Sequence, residues 1–321
     1  MSRFSHEDLS TPDGQVVSLS ILAADAPRGA VLLLHGFGQN LMTWHATQRS
    51  MAEHLCQSGW TVYAAELRGH GRSRKLGGRC AHSLADYFQL DLPTVMDAIM
   101  DRRTAGPLVV LGHSLGGLMA AYLGTRYDHA LAGVGLIASP GRVRLGRQFA
   151  LAHVLRVVRQ VIPAWRYADG VPFRLDWIGR ITALAVQCAG ERAAHFPVSP
   201  WAPNSMEKGL LVDRLAQGFD VTGLGVVAEL AQWGESDQMP VTGTTADLLA
   251  DFKKLACPVL LLHSDRDEIV PGALAIRPTA FPRAEVDDHH VEGFGHCDII
   301  LGAQAPEKVW PLVTSWLARF A

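Results

Sequence analysis

The chain has little cysteine, little charge and no long apolar run, and each shortage excludes something. Its five cysteines, Cys56, Cys80, Cys188, Cys257 and Cys297, are scattered and form no C-x-x-C pair. Neither a zinc ribbon nor a redox dithiol is indicated, no metal is expected, and reduced thiols in a cytoplasm are the expectation. Charged residues are 19% of the 321, and 29 lysines and arginines against 31 aspartates and glutamates leave a net charge of −2. That balance offers no basic excess or stripe for nucleic acid. With 48% hydrophobic residues the chain is also unlike a disordered one. The apolar runs at 31–34 and 259–262 are four residues each, far too short to span a bilayer. Residues 1–13 are polar and mixed in charge, without a basic stretch before an apolar core, so no signal peptide is expected.

At about 150 residues per domain the length suits two units, or one large α/β domain carrying an insertion. Two stretches alternate strand with helix. In 1–140 the pattern predicts strands at 16–23, 30–34, 60–67, 107–111 and 131–138. Helices are expected at 43–56, 83–103 (Ser83 as N-cap, Asp86 in the first turn) and 115–126. In 252–321 it predicts strands at 258–262 and 284–291, a weak helix at 272–280 and a closing helix at 306–320. Short, wholly apolar strands alternating with helices imply a mostly parallel, doubly wound sheet covered on both faces. Between them 141–251 lacks this rhythm. It holds Trp165, Trp177, Trp201 and Trp233, and reads as a mainly helical insertion.

The strongest chemical signal is Gly112-His113-Ser114-Leu115-Gly116, a G-x-S-x-G between a strand and a helix. That sharp turn needs small flanking residues and lifts the serine oxygen above the sheet edge. A serine hydroxyl needs a base held by an acid, and here the partners follow in the order Ser, Asp or Glu, His. His296, in Gly293-Phe294-Gly295-His296 after the last strand, is the candidate base. His289 and His290 lie within the strand pattern and read as packed or surface histidines. Asp267 follows the 258–262 strand and precedes the Ile269-Val270-Pro271 turn, and is the candidate acid. Asp265 and Glu268 read as solvated loop carboxylates. After the first buried strand, the glycines of His35-Gly36-Phe37-Gly38 let backbone amides turn toward one point. The Phe37 and Leu115 N–H groups are the candidate oxyanion donors, and His35 is assigned no chemical step.

Together with Glu66-Leu67-Arg68-Gly69-His70-Gly71-Arg72-Ser73, these motifs resemble the α/β-hydrolase superfamily of serine hydrolases. The nearer resemblance is to its monoacylglycerol lipase, lysophospholipase and serine aminopeptidase-like group. The resemblance covers both core stretches but not the insertion. It implies an α/β-hydrolase fold, ester hydrolysis without a cofactor, and Ser114, Asp267 and His296 as the triad. It also implies a small-molecule ester, apolar in its acyl part, as substrate. Acyl transfer or amide cleavage by the same triad stays open, as does a non-catalytic, hydrolase-like binding module. Haloalkane dehalogenases and epoxide hydrolases resemble this fold but carry aspartate where Ser114 stands. The 66–73 stretch reads as an ordinary glycine-rich loop without the lysine of a phosphate-binding loop.

The insertion adds further expectations. Residues 142–166 hold six arginines and no acid. Leu151, Val154, Leu155, Val158, Val161, Ile162 and Trp165 would share one helical face. Such a segment suits a cap over the site mouth, or peripheral contact with a membrane surface. Pro197, Pro200 and Pro203 around Trp201 suggest a stiff loop that gates entry. Gly218-Phe219-Asp220 faintly resembles the cap regions of some lipases and polyhydroxyalkanoate synthases; the latter use cysteine where this chain has Ser114.

Overall fold

The computed structural model describes residues 4–103, 106–143, 170–194, 199–234, 238–241, 243–244 and 247–321. Eight strands form its central sheet. In chain order they are β1 (Ser5–Ser10), β2 (Val16–Leu22), β3 (Gly29–Leu34), β4 (Trp60–Glu66), β5 (Leu108–His113), β6 (Gly133–Ile137), β7 (Val259–Ser264) and β8 (Val286–Val291). Side by side they run β1-β2-β4-β3-β5-β6-β7-β8. β1 and β2 pair antiparallel, β2 and β4 likewise, and every later pairing is parallel.

The longer helices are α1 (Met51–Gln57), α2 (Leu92–Arg102), α3 (Leu115–Arg126), α4 (Leu175–Ala189), α5 (Lys208–Gln217), α6 (Leu224–Trp233) and α7 (Trp310–Leu317). Parallel strands need crossovers, and the crossovers cover both faces. Every residue of β3, β5, β6 and β7 is accordingly buried. Side chains alternate between faces: Ala30, Leu32 and Leu34 enter one core, Val31 and Leu33 the other. The first core takes Val95, Met96 and Ile99 of α2 and Leu118 of α3. The second takes Met51 and Leu55 of α1 and Trp310 and Val313 of α7.

The chain leaves β3 for β4 on one side and returns to β5 on the other. The carboxyl ends of β3 and β5 therefore flank the point where strand order reverses, which is where open α/β sheets bind ligands. Register aligns these ends, with Leu34 opposite Gly112, His113 opposite Ile137 and Ser264 opposite Val291.

Four expected elements differ. The helix expected over 43–56 begins only at Met51, because the Ser50 hydroxyl accepts the Glu53 N–H at 3.0 Å and caps it. Ahead of it lie a 3₁₀ turn (Leu41–Thr43) and a small ribbon (His45–Ala46 with Arg49–Ser50). The helix over 83–103 is interrupted by a π-helical turn, Asp86–Asp91, just before α2. Pro93 follows with no amide to donate, and the widened turn absorbs that loss. Residues 272–280 form turns, with only Pro278–Ala280 in a 3₁₀ helix. The closing helix divides into Ala305–Lys308 and α7, with Pro311 in the first turn of the latter. Strand β1 was not foreseen: it is a polar edge strand that buries too little to leave an apolar pattern. Residues 144–169, and with them nearly all of the basic amphipathic segment read at 142–166, lie outside the described residues.

Candidate active site

Ser114 stands between β5 and α3 with φ 56° and ψ −120°, a backbone conformation that costs a non-glycine residue about 1–3 kcal/mol. Its surroundings over-determine it. A Cβ at Gly112 would run into the Gly116 carbonyl, and one at Gly116 into the carbonyls of Leu34 and His35. Gly36 packs directly against His113 and Ser114. The strand-to-helix turn thus closes onto the loop after β3. The Ser114 N–H donates to Ile137 O at 2.8 Å, tying the turn to β6 as well.

His296 and Asp267 meet. The imidazole Nδ1 lies 2.8 Å from Asp267 Oδ2, and the two residues are 4% and 5% exposed, so water does not loosen the pair. The other carboxylate oxygen accepts the N–H groups of Ile269 at 2.9 Å and Val270 at 2.7 Å. With Nδ1–H donating to the carboxylate, Nε2 is left as the basic nitrogen. Ser114 shares this rim: His113, its neighbour, donates from Nε2 to the His296 carbonyl at 2.8 Å. Among the described residues the Ser114 hydroxyl makes no hydrogen bond to the ring, a contact that commonly tightens only when substrate is bound. Neither the Phe37 nor the Leu115 amide has a backbone acceptor among the described residues. Leu115 opens α3, where the first amides have no helical partner.

The rivals stand elsewhere. His290 is exposed on β8 beside His263, and His289 is half-buried on the same strand. Asp265 and Glu268 are exposed but not idle: Asp265 accepts the Gly293 N–H at 2.7 Å and Glu268 the Ser199 N–H at 2.9 Å. Both help to hold the loops that carry His296 and Asp267. The 66–73 stretch is structural. Buried Arg68 pairs with Asp91 at 2.8 Å and Asp13 at 2.7 Å, and Glu66 accepts the Leu41 and Arg72 amides.

Two residues of the site escape a sequence reading. One is His113, whose bond to residue 296 crosses 183 positions of chain. The other is Asp298, fully buried, which accepts Gly295 N–H at 2.9 Å and Ala202 N–H at 3.2 Å; burial pushes its carboxyl up. An acid opening the apolar run 298–301 was the only signal for it. The segment around Trp201 is pinned to the histidine loop, with Cys297 N–H donating to Pro200 O at 2.7 Å and Trp201 2% exposed. It is thereby tied to the loop that carries His296, while Pro197 lies outside the described residues.

Buried histidines surround the rim. Burial, with the neighbouring His70 second, holds His35 down to about 3; burial also lowers His70 and takes His113 well below its ordinary value. His35 and His113 are neutral in the fold and take protons near 6.5 once unfolded. The unfolded state then binds more protons, so their contribution is complete above about pH 6.5 and is lost as pH falls. Each should cost about 1.4 kcal/mol per pH unit. Burial raises the Asp91 carboxyl to about 7, which works the other way over the same interval, so the histidine part is read as a difference. His35→Gln should make the Tm fall less between pH 7.5 and 5.5 than it does in wild type. An unchanged profile would contradict a neutral His35.

Among the described residues no cluster of three or more His, Cys, Asp or Glu could hold a metal ion, and no helix is long and apolar enough to cross a membrane. A parallel sheet wound on both faces, with a strained serine turn at its switch point and a buried His–Asp pair beside it, defines the class. The chain belongs to the alpha/beta hydrolase fold family, whose pattern matches residues 29–303. It is 26% identical over 294 residues to a monoacylglycerol lipase of Mycolicibacterium smegmatis, covering 91% of this chain and 88% of that one. It is 28% identical over 295 residues to a putative non-heme haloperoxidase of Mycobacterium phage D29, covering 90% and 88%. Among solved structures, a highly thermostable carboxyl esterase from Bacillus coagulans shares the fold, with a TM-score of 0.67, 17% identity and coverage of 100% and 99%.

Proposed function

We propose that the chain hydrolyses carboxylic esters with an apolar acyl group, such as monoacylglycerols or lysophospholipids, through a Ser114–His296–Asp267 triad. One fold hosts many chemistries, as the two relatives' names illustrate, so the reading must rest on the site. The observation that supports it most is the buried 2.8 Å His296–Asp267 bond beside a strained Ser114. In this reading Ser114 Oγ attacks the ester carbonyl carbon while His296 Nε2 takes its proton. Phe37 and Leu115 N–H groups hold the oxyanion. His296 returns the proton to the departing alcohol, leaving an acyl-enzyme. Water, deprotonated by the same nitrogen, releases the acid and restores the serine. Asp267 stays ionised, orients the ring and stabilises the imidazolium.

The insertion at 141–251 serves as a mainly helical cap. Its α4 begins over the rim, where Leu175 fills the space a side chain at Gly38 would need. An apolar cover of this kind suits an acyl chain and excludes water from the oxyanion. All five cysteines are free, in keeping with work in a reducing compartment such as the cytoplasm.

Two measurements test the reading. A fluorophosphonate should label wild-type protein at Ser114 and fail on Ser114→Ala. On p-nitrophenyl esters, kcat/KM should climb from acetate toward medium chains, by roughly fourfold for each methylene that becomes buried, since each contributes about 0.8 kcal/mol. A maximum at acetate would overturn the apolar acyl assignment, and unlabelled Ser114 would overturn the triad.

A further inference from the structure

The Gly218-Phe219-Asp220 stretch of the insertion has no part in the chemistry above, yet it grips the loop that presents Phe37. The Asp220 N–H donates to Gly38 O at 2.8 Å, and Phe219 pairs with Gln39 as an isolated antiparallel bridge. The Asp220 carboxylate then gathers three donors. Oδ2 accepts from Asn40 Nδ2 at 2.7 Å and from the Gly71 N–H at 2.8 Å. Oδ1 accepts from the Arg74 guanidinium at 3.2 Å, which also reaches Asp176 near the start of α4. Asn40 spends its second amide proton on Gln217 O at 2.7 Å, and Arg214 donates to Met42 O. Asp220 and Asn40 are each 7% exposed, so these bonds are made away from bulk water.

We infer that Asp220 is a positioning residue for the oxyanion loop, and through it for the Phe37 amide; the inference rests on the triad reading above. The physical reason lies in the loop itself. Gly38 adopts φ +61°, a left-handed conformation that glycine enters and leaves at little cost. The peptide just before it carries the Phe37 carbonyl and the one before that the Phe37 N–H. On its near side that peptide is held by two donors to the Gly36 carbonyl, the Gln39 N–H at 3.2 Å and the His35 ring at 2.9 Å, and by the packing of Gly36 on Ser114. The far side of the loop is held from outside, by Asp220 on Gly38 O and on Asn40. A carboxylate that binds donors from 40, 71 and 74 at once sets one geometry for the loop, because each donor restricts the others.

An amide that is misdirected by an ångström still permits substrate binding but weakens the contact made to the developing oxyanion. Loss of a whole oxyanion donor costs about 10²–10³ in rate; a loosened one should cost part of that. Asp220→Ala is therefore expected to lower kcat by about 10- to 100-fold with KM within twofold. Affinity for a boronic acid that forms a tetrahedral adduct with Ser114 should fall by the same factor, while affinity for a product fatty acid holds. Asp220→Asn keeps one oxygen acceptor and the shape of the side chain, so it should recover most of the loss. Asn40→Ala should lower kcat as Asp220→Ala does, and the double variant should lose little more than either single one, since both remove one contact.

If Asp220→Ala fails to fold, Asn40→Ala carries the test. A drop in Tm with kcat and boronate affinity unchanged in whichever of the two alanine variants folds would overturn the inference, for the Asp220–Asn40 contact would then be structural only. Loss of the reading beneath it shows separately. There the wild-type serine would not be labelled and Ser114→Ala would keep its activity, whatever Asp220 does.

Discussion

Replacing Ser114 by alanine should lower kcat by about 10⁶, if serine, histidine and aspartate act as a unit. The residue left behind would still bind substrate, and the Phe37 and Leu115 amides would still face the carbonyl. Some 10³–10⁴ of rate over water should therefore survive, which sets the floor of the measurement. The fold should not respond. Alanine keeps the Cβ that makes φ 56° costly, so the turn carries the same strain as before. Ser114→Gly removes that Cβ and should raise stability by about 1–3 kcal/mol, with an equal loss of kcat. The pair of variants separates chemistry from folding: two inactive proteins, one with the wild-type Tm and one above it. Steady-state hydrolysis of a chromogenic ester with active-site titration, beside thermal unfolding, reads both. Activity retained in Ser114→Ala after contaminating esterases are removed would mean that the nucleophile lies elsewhere.

The candidate rim was legible as a place in the fold because its residues sit where apolar strands end. A run such as 30–34 or 107–111 can be only a buried strand or a buried helix. The Gly-rich turns that follow decide for strand, and so place Ser114 and the Phe37 loop at one sheet edge. Asp267 and His296 follow by the same logic from β7 and β8. What supports them was not legible, for a different reason. His113 reaches residue 296, Asn40 reaches Asp220 across 180 positions, and Asp298 holds Ala202. Such contacts depend on where the sheet and the insertion bring distant loops, and no local periodicity records that. Helix ends failed for a third reason. Ser50 caps α1 through its own side chain, and Pro93 and Pro311 break patterns whose apolar spacing runs on unbroken. Hydrophobic spacing reports which face is buried, whereas caps and prolines report where the backbone can no longer bond to itself.

Asp267→Asn should lower kcat by about 10⁴ while leaving the protein folded. The size follows from how the carboxylate is used. One oxygen takes two backbone amides, from Ile269 and Val270, and the other takes the His296 ring at 2.8 Å. An asparagine must place its oxygen on one side and its NH₂ on the other. Turning the NH₂ toward the two amides would leave both without an acceptor, at about 1–3 kcal/mol each. The oxygen therefore stays with residues 269 and 270, and the NH₂ points at Nδ1. A donor facing Nδ1 selects the tautomer protonated at Nε2, and that nitrogen can no longer accept the Ser114 proton. The ring is still in place, only with its proton on the wrong side, so the Tm should remain within a few degrees of wild type. Fluorophosphonate labelling of Ser114 should slow in step with kcat, since both need the same base. Asp265→Asn is the matched control: its carboxylate serves the Gly293 amide and not the ring, so kcat should stay within about threefold. A kcat within tenfold of wild type in Asp267→Asn, or an equal collapse in Asp265→Asn, would remove Asp267 from its role.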